Sequence, residues 1–341
     1  MRQGPISIAG IGLVTSVGLN ALASCAAIRA KLTRPTQSRV TGSDGEWITA
    51  HQVALDPACR RLDRLARLAA RAARECMADT PREQWSGIPL LLCVAEGDRP
   101  GRLEGLDDRL FVLLQKLLGA RFAAQSAVVA RGRVAVAVAL AQAHKLIVEG
   151  HRQVLIVAVD SLLGAATLGH LDRQQRLLSE FNSNGFIPGE AAGAVRISAA
   201  SAGAQMLCRG MGFGVEPAHI ASGLPLRGDG LAAAIKEALR QAGEKLHHLD
   251  YRMADLSGEQ YYFKEAALAL LRTMRQRRET FDLLHPAECI GEVGAAAGMT
   301  VLVCAVVAAQ KRYAPGPRVL AHWSNDAGQR AAVVLHWQAQ A

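Results

Sequence analysis

The chain has 341 residues, half of them apolar and only 4% aromatic, with a formal net charge of +9 and a pI near 9.5. That length can bury a sizeable core, and the composition excludes a disordered chain in favour of a closely packed globule of small residues. No apolar run is long enough to cross a bilayer, and seven scattered cysteines without CxxC spacing exclude a disulfide framework or a zinc finger.

The N-terminal "MRQGPISIAGIG" passes straight into strand-like alternation without a signal-peptide pattern, so a cytoplasmic location is expected, with no membrane partner. Next comes "CRRLDRLARLAARAARECMAD", 59–79. Here Arg60, Arg64, Arg67, Arg71 and Arg74 recur at helical steps and form a basic stripe, while Leu62, Leu65, Ala69 and Ala72 supply the opposite face. The stripe reads either as a solvated face or as a dock for an acidic protein. Nucleic acid is not expected, because no recognition motif or aromatic-plus-basic platform accompanies the charge.

"ARGRVAVAVALAQAHKLI", 130–147, reads as a strand end, a tight turn at Gly132 and an Ala/Val helix. Arg131 and Arg133 stand where that helix begins, although a helix N-terminus favours anions or a thiolate. Further on, landmarks repeat in the same order. A strand ending in "GIG" (10–12) is echoed by "GMG" (210–212), the Ala/Val helix after Gly132 by another after Gly294, and "GEAAGAVRIS" (189–198) by "GQRAAVVLHW" (328–337). The expected fold is therefore α/β, built from duplicated halves, residues 1–200 and 201–341, each central helix lying buried between sheets. A Rossmann reading of "GIGLVTSVG" fails, since the third glycine of GxGxxG is missing.

In order and spacing, "ISIAGIGLVTSVGLNALASCAAIRA", "LDRLARLAARAARECMAD", "GRVAVAVALAQAHKLIVEGHRQVLIVAVDSLL" and "RLLSEFNSNGFIPGEAAGAVRI" resemble the β-ketoacyl-ACP synthases of the thiolase fold, Asn184 to Ala194 being the most specific stretch. The resemblance implies a thiolase-like α-β-α-β-α sandwich. It also implies a cysteine nucleophile at the start of the first buried helix and two histidines from the second half. Those positions fall at Arg133, at Asp255 and at Glu292 or Gly291, Ala287 stands where the family has a lysine, and the glycine-rich loop at 324–332 keeps Gly328 but replaces the gating phenylalanine near Asp326. A guanidinium stays protonated and cannot act as a nucleophile.

The resemblance therefore implies a degenerate site with no catalytic residue, no cofactor and no metal. A cation with two anions at converging positions further predicts a buried ion cluster in which Arg133 has carboxylate partners, with Arg131 facing solvent or another acid. Glu190, Asp255, Ser257, Glu292 and Asp326 are the candidates to line a pocket there. "LSGEQYYFKE", 256–265, reads either as a binding element or as a helix start capped by Ser257 and anchored by packed rings.

The leading expectation is an inactive homologue acting as a binding or assembly component. A homodimer is expected, because the family's sheets pair across a two-fold axis. "GEQYYFKE" and "HPAECIGEVGAAAG" resemble ketosynthase-like accessory proteins of type VI secretion, which implies an adaptor. The alternatives are a chain-length-factor-like partner of a ketosynthase, its Arg60 to Arg74 stripe meeting an acyl carrier protein, or an acyltransferase with a rearranged site.

Overall fold

The computed structural model describes residues 4–339. In chain order the first half comprises β1 (Ile6–Val14), α1 (Ala21–Arg29), β2 (Thr36–Thr41), β3 (Trp47–Ala50), α2 (Arg61–Cys76), β4 (Leu90–Val94), α3 (Arg109–Leu118), β5 (Ala127–Ala130), α4 (Ala135–Val148), β6 (Gln153–Ser161), α5 (Ala165–Arg173) and β7 (Glu190–Ala199). The second comprises β8 (Gln205–Val215), α6 (Asp229–Ala242), β9 (Tyr251–Ala254), α7 (Gln260–Thr273), β10 (Leu283–Leu284), α8 (Ala287–Ile290), α9 (Ala297–Gln310), β11 (Arg318–Ser324) and β12 (Gln329–Gln338).

Ten strands join in the order β10-β9-β11-β12-β8-β1-β7-β6-β4-β5, and β2 pairs with β3 apart from them. Outward from the centre, β8-β12-β11-β9-β10 repeats β1-β7-β6-β4-β5 strand for strand, with the same alternation of antiparallel and parallel neighbours. β1 and β8 pair only over Ile6 to Ile8 against Met206 to Cys208. Beyond that join the two five-stranded halves face each other, with α4 and α9 packed between them in one apolar cluster. Helices α2 and α3 cover the outer face of the first half, and α6 with α7 covers that of the second. The result is the expected five-layer α-β-α-β-α sandwich. Among the described residues no helix is long and apolar enough to cross a membrane.

Two sequence readings change. The GIG and GMG motifs do not end their strands; they lie inside β1 and β8, where an outer helix comes close. A Cβ on Gly12 would sit 2.0 Å from the Ala72 carbonyl oxygen of α2, and one on Gly212 would sit 2.0 Å from that of Ala234 in α6. Glycine is needed there for close backbone approach. The central helices also differ from each other. Every residue of α9 except Gln310 is buried, whereas α4 buries one face and carries Gln142, Lys145 and Val148 outward toward its C-terminus. The polar positions that break the apolar run in α4 mark where it reaches solvent.

Candidate functional site

The site forms where α4 and α9 begin. Each is preceded by one turn of 3-10 helix, 132–134 and 294–296, opened by a glycine at φ +54. A side chain at either glycine would be strained, and it would also strike a carboxylate: a Cβ on Gly132 meets Glu96 Oε2 at 2.2 Å, and one on Gly294 meets Asp160 Oδ2 at 2.2 Å. Arg99 bridges these two acids, with Nη2 2.7 Å from Glu96 and Nη1 2.6 Å from Asp160.

Arg133 projects from the first of these turns and is 7% exposed. Its Nη2 lies 2.5 Å from Asp326 Oδ1, its Nη1 3.3 Å from Glu292 Oε2 and its Nε 3.8 Å from Asp255 Oδ2. Nη2 also donates to the Tyr262 hydroxyl at 2.7 Å, and the guanidinium stands 4.5 Å from that ring's centroid. A cation at a helix N-terminus works against the helix dipole by about 0.3–1 kcal/mol. Close carboxylates outweigh that. Arg133 is held well above the usual arginine range: burial opposes its charge, but Tyr262, Glu292, Asp326 and Asp255 favour it more strongly.

The acids are placed by backbone contacts in both halves. The Glu292 amide donates to the Ile187 carbonyl and its own carbonyl accepts from Gly189, which ties the 184–194 segment to the turn before α9. Glu292 Oε1 accepts from the Gly294 amide at 2.9 Å, and Oε2 accepts from the Ser257 hydroxyl at 3.0 Å. Asp255 follows β9 directly and accepts from the Ser324 amide at 3.1 Å. Asp326 sits on the turn between β11 and β12, which Arg330 braces from behind. Fully buried, Arg330 pairs with Glu265 of α7 at 2.7 Å and donates to the Asn325 carbonyl at 2.6 Å.

Arg176 completes the arrangement. It pairs with Asp326 at 2.5 Å and with Glu259 at 2.7 Å, and the Tyr262 hydroxyl donates to Asp326. Burial pushes the Asp255 carboxyl up to about 7, Arg133 offsetting it only in part and Glu292 adding to the rise. Glu292 is raised by burial as well, against Arg133. For Asp326 burial acts in the same direction, but Arg133 and Arg176 outweigh it and hold the carboxyl well below the usual range.

The structure thus brings together Arg133, Asp255, Glu292 and Asp326, with Ser257 behind Glu292. Gly291 carries no side chain into the cluster and turns the chain at φ +72. A cavity of about 400 Å³ opens beside this cluster, with Arg133, Glu292, Asp326, Arg176 and the exposed Arg131 on its wall, whereas Asp255 and Ser257, expected to line it, do not. Among the described residues lining it there is no cysteine, and the one imidazole is that of His170. Acid-base groups are therefore present, whereas a thiolate with two imidazoles is not. Gly328, at φ +94, shapes the β11–β12 turn without lining the cavity.

Three expectations need correction. Glu190 does not join this cluster; it is 1% exposed and bound to Arg64 Nη2 at 2.5 Å on the other side of β6. Arg64 therefore does not face a partner, because one position of the basic stripe turns inward to neutralise a buried acid. Arg60, Arg67, Arg71 and Arg74 remain exposed. Ser257 does not cap α7 either. That helix starts at Gln260 without a side-chain cap, and the Ser257 hydroxyl is spent on Glu292. Arg176 carries no sequence signal that would place it here, whereas Glu259 lies in the 256–265 stretch read either as a binding element or as a helix start. Tyr262 belongs to the ring-rich stretch and packs edge-on against Tyr261, centroids 4.9 Å apart.

No family model matches the chain, and no curated protein matches it. Solved structures do. An oxazolomycin ketosynthase domain from Streptomyces albus JA3453 aligns with a TM-score of 0.82 at 14% identity, over 99% of this chain and 76% of that one. A ketosynthase in complex with its chain length factor from Xenorhabdus doucetiae aligns at 0.77 and 14% identity, over 98% of both chains. The ishigamide ketosynthase/chain length factor aligns at 0.78 and 18% identity, over 98% of this chain and 99% of that one. The chain has the thiolase-like fold of ketosynthases.

Proposed function

We propose that the chain is a non-condensing thiolase-fold subunit that works as the partner of a ketosynthase, in the manner of a chain length factor. The observation that carries this reading is the buried, charge-compensated Arg133 at the first turn before α4, where the resemblance puts the nucleophilic cysteine. Asp255 stands where it puts one histidine, and Glu292 or the adjacent Gly291 where it puts the other. A cation locked to carboxylates at 2.5–3.8 Å has neither a lone pair to attack a thioester nor freedom to leave. Function has to be argued from the site and not from the fold. Two further features support a partner role. Strand β5 ends the sheet with an unpaired edge, a template for strand addition. The exposed Arg60, Arg67, Arg71 and Arg74 give an acidic carrier protein a surface to meet.

The test is incubation of the purified protein with malonyl- and acyl-loaded carrier protein, read by mass spectrometry, alongside co-purification with a ketosynthase of the source organism. No acyl adduct, no carbon dioxide release and a stable complex with the ketosynthase are expected. Acyl transfer to the wild-type chain would overturn the reading. A self-associated dimer that ignores both ketosynthase and carrier protein would shift the assignment to the adaptor role in type VI secretion.

A further inference from the structure

A second cavity, of about 390 Å³, lies on the far side of Arg99 from Arg133, and only Arg99 and Thr167 line both. That volume falls within the roughly 300–1,000 Å³ of small-molecule sites. Its deep wall is apolar, with Leu65, Leu106 and Ala95 almost fully buried and Leu103 beside them.

Charge in this cavity is unbalanced in one direction. Its two lining carboxylates are already satisfied. Glu190 is paired with Arg64 and accepts from the Val53 amide, while Asp160 is paired with Arg99 and accepts from the Ala295 and Ser161 amides. Arg102 is held by Asp107. Arg39, Arg60 and Arg61 also line the cavity, are exposed, and have no carboxylate partner among the described residues. Three guanidinium groups without a carboxylate partner therefore stand at the solvent side of an apolar pocket, Arg60 donating only to the Pro57 carbonyl.

We propose that this cavity binds an amphiphile whose anionic head meets Arg39, Arg60 and Arg61 and whose aliphatic chain lies along Leu65, Leu103 and Leu106. A carboxylate or phosphate head fits the planar donors of arginine, in bidentate pairs where geometry allows. The aliphatic tail gains by leaving water at about 0.8 kcal/mol per buried CH₂. A neutral amphiphile of the same length keeps the second contribution and loses the first. This binding uses neither Arg133 nor a ketosynthase, and it shares only Arg60 with the carrier-protein surface proposed above.

Calorimetric titration of the full chain with dodecanoate, dodecyl phosphate and dodecanol tests it. At least one of the two anions is expected to bind, with dodecanol weaker by about tenfold or more, as loss of one or more charge-assisted contacts requires. The preferred anion identifies the source as a carboxylate or a phosphate amphiphile. R60E/R61E changes only exposed side chains and is expected to abolish binding of the anions. Ala165→Trp, at an exposed lining position, is expected to block binding of every probe. Equal binding of dodecanol and the anions, unchanged affinity in R60E/R61E, or no binding of either anion to the folded wild type would each overturn the proposal.

Discussion

Arg133 and Asp326 belong to opposite halves of the chain and meet as an ion pair of 2.5 Å, one on the turn before α4 and the other on the β11–β12 hairpin. The pair sits where the two buried helices begin, so it ties the halves together there. Removing the cation leaves Asp255 and Glu292 buried without the one guanidinium they contact among the described residues. Arg133→Met is therefore expected to lower unfolding free energy at pH 8 by about 3–5 kcal/mol, the range for breaking a buried pair. The loss should shrink at pH 5, where Asp255, pushed up to about 7 by burial, takes up a proton. Urea titrations at the two pH values check both statements.

Asp255 makes its own contribution to the pH profile. Its carboxyl titrates near 7 in the fold instead of at its ordinary 3.8. The folded state thus holds the proton more tightly than the unfolded chain. Its contribution to stability is greatest below about 4 and declines as pH rises to about 7. His51, pushed down to about 4 by burial, and His322, pushed down to about 3, act oppositely and cost stability as pH falls below 6.5. The Asp255 share appears as the difference between wild type and Asp255→Asn. That variant should gain on the wild type at pH 8 relative to pH 5, measured by denaturant midpoint at each pH.

Within one helix, the arginines of the α2 stripe should divide sharply. Arg64→Ala strands Glu190 at 1% exposure and is expected to cost about 3–5 kcal/mol. Arg67→Ala removes only an exposed pair with Asp63 and should leave the unfolding midpoint close to that of wild type. The proposed partnership with a carrier protein predicts the reverse order in a binding assay, with Arg67→Ala and Arg71→Ala weakening association through lost surface charge. Thermal unfolding and the binding assay together separate the two roles.

Most of the fold is legible in the sequence, because duplication leaves paired signals: two glycine pairs in strands, two charge-poor helices and two small-residue strand starts. Each reports a contact that either half needs. The convergence of Arg133, Asp255 and Glu292 follows from the resemblance combined with opposite charge. Arg176 and Glu259 escape such reasoning, since both lie in irregular backbone whose placement depends on how loops fold over the site. Arg64 escapes for a different reason. Helical periodicity gives its direction to within one face, but burial there depends on Glu190, 126 residues away, which no local pattern reveals.

The glycine pairs provide the last test. Ala at Gly12 would place its Cβ 2.0 Å from the Ala72 oxygen, and Ala at Gly212 would place it 2.0 Å from the Ala234 oxygen. Both obstacles are helix backbone, which cannot turn aside as a side chain can. Relief requires α2 or α6 to lift from its sheet, opening the outer apolar layer on that side. Each substitution is expected to cost about 1–3 kcal/mol or more, and the two costs should add, because the sites lie on different outer faces. Gly87→Ala is the control, with nothing within 4 Å of the new methyl, and should leave the denaturation midpoint unchanged. A Gly12→Ala protein as stable as this control would mean that α2 does not press on β1 as closely as the fold requires.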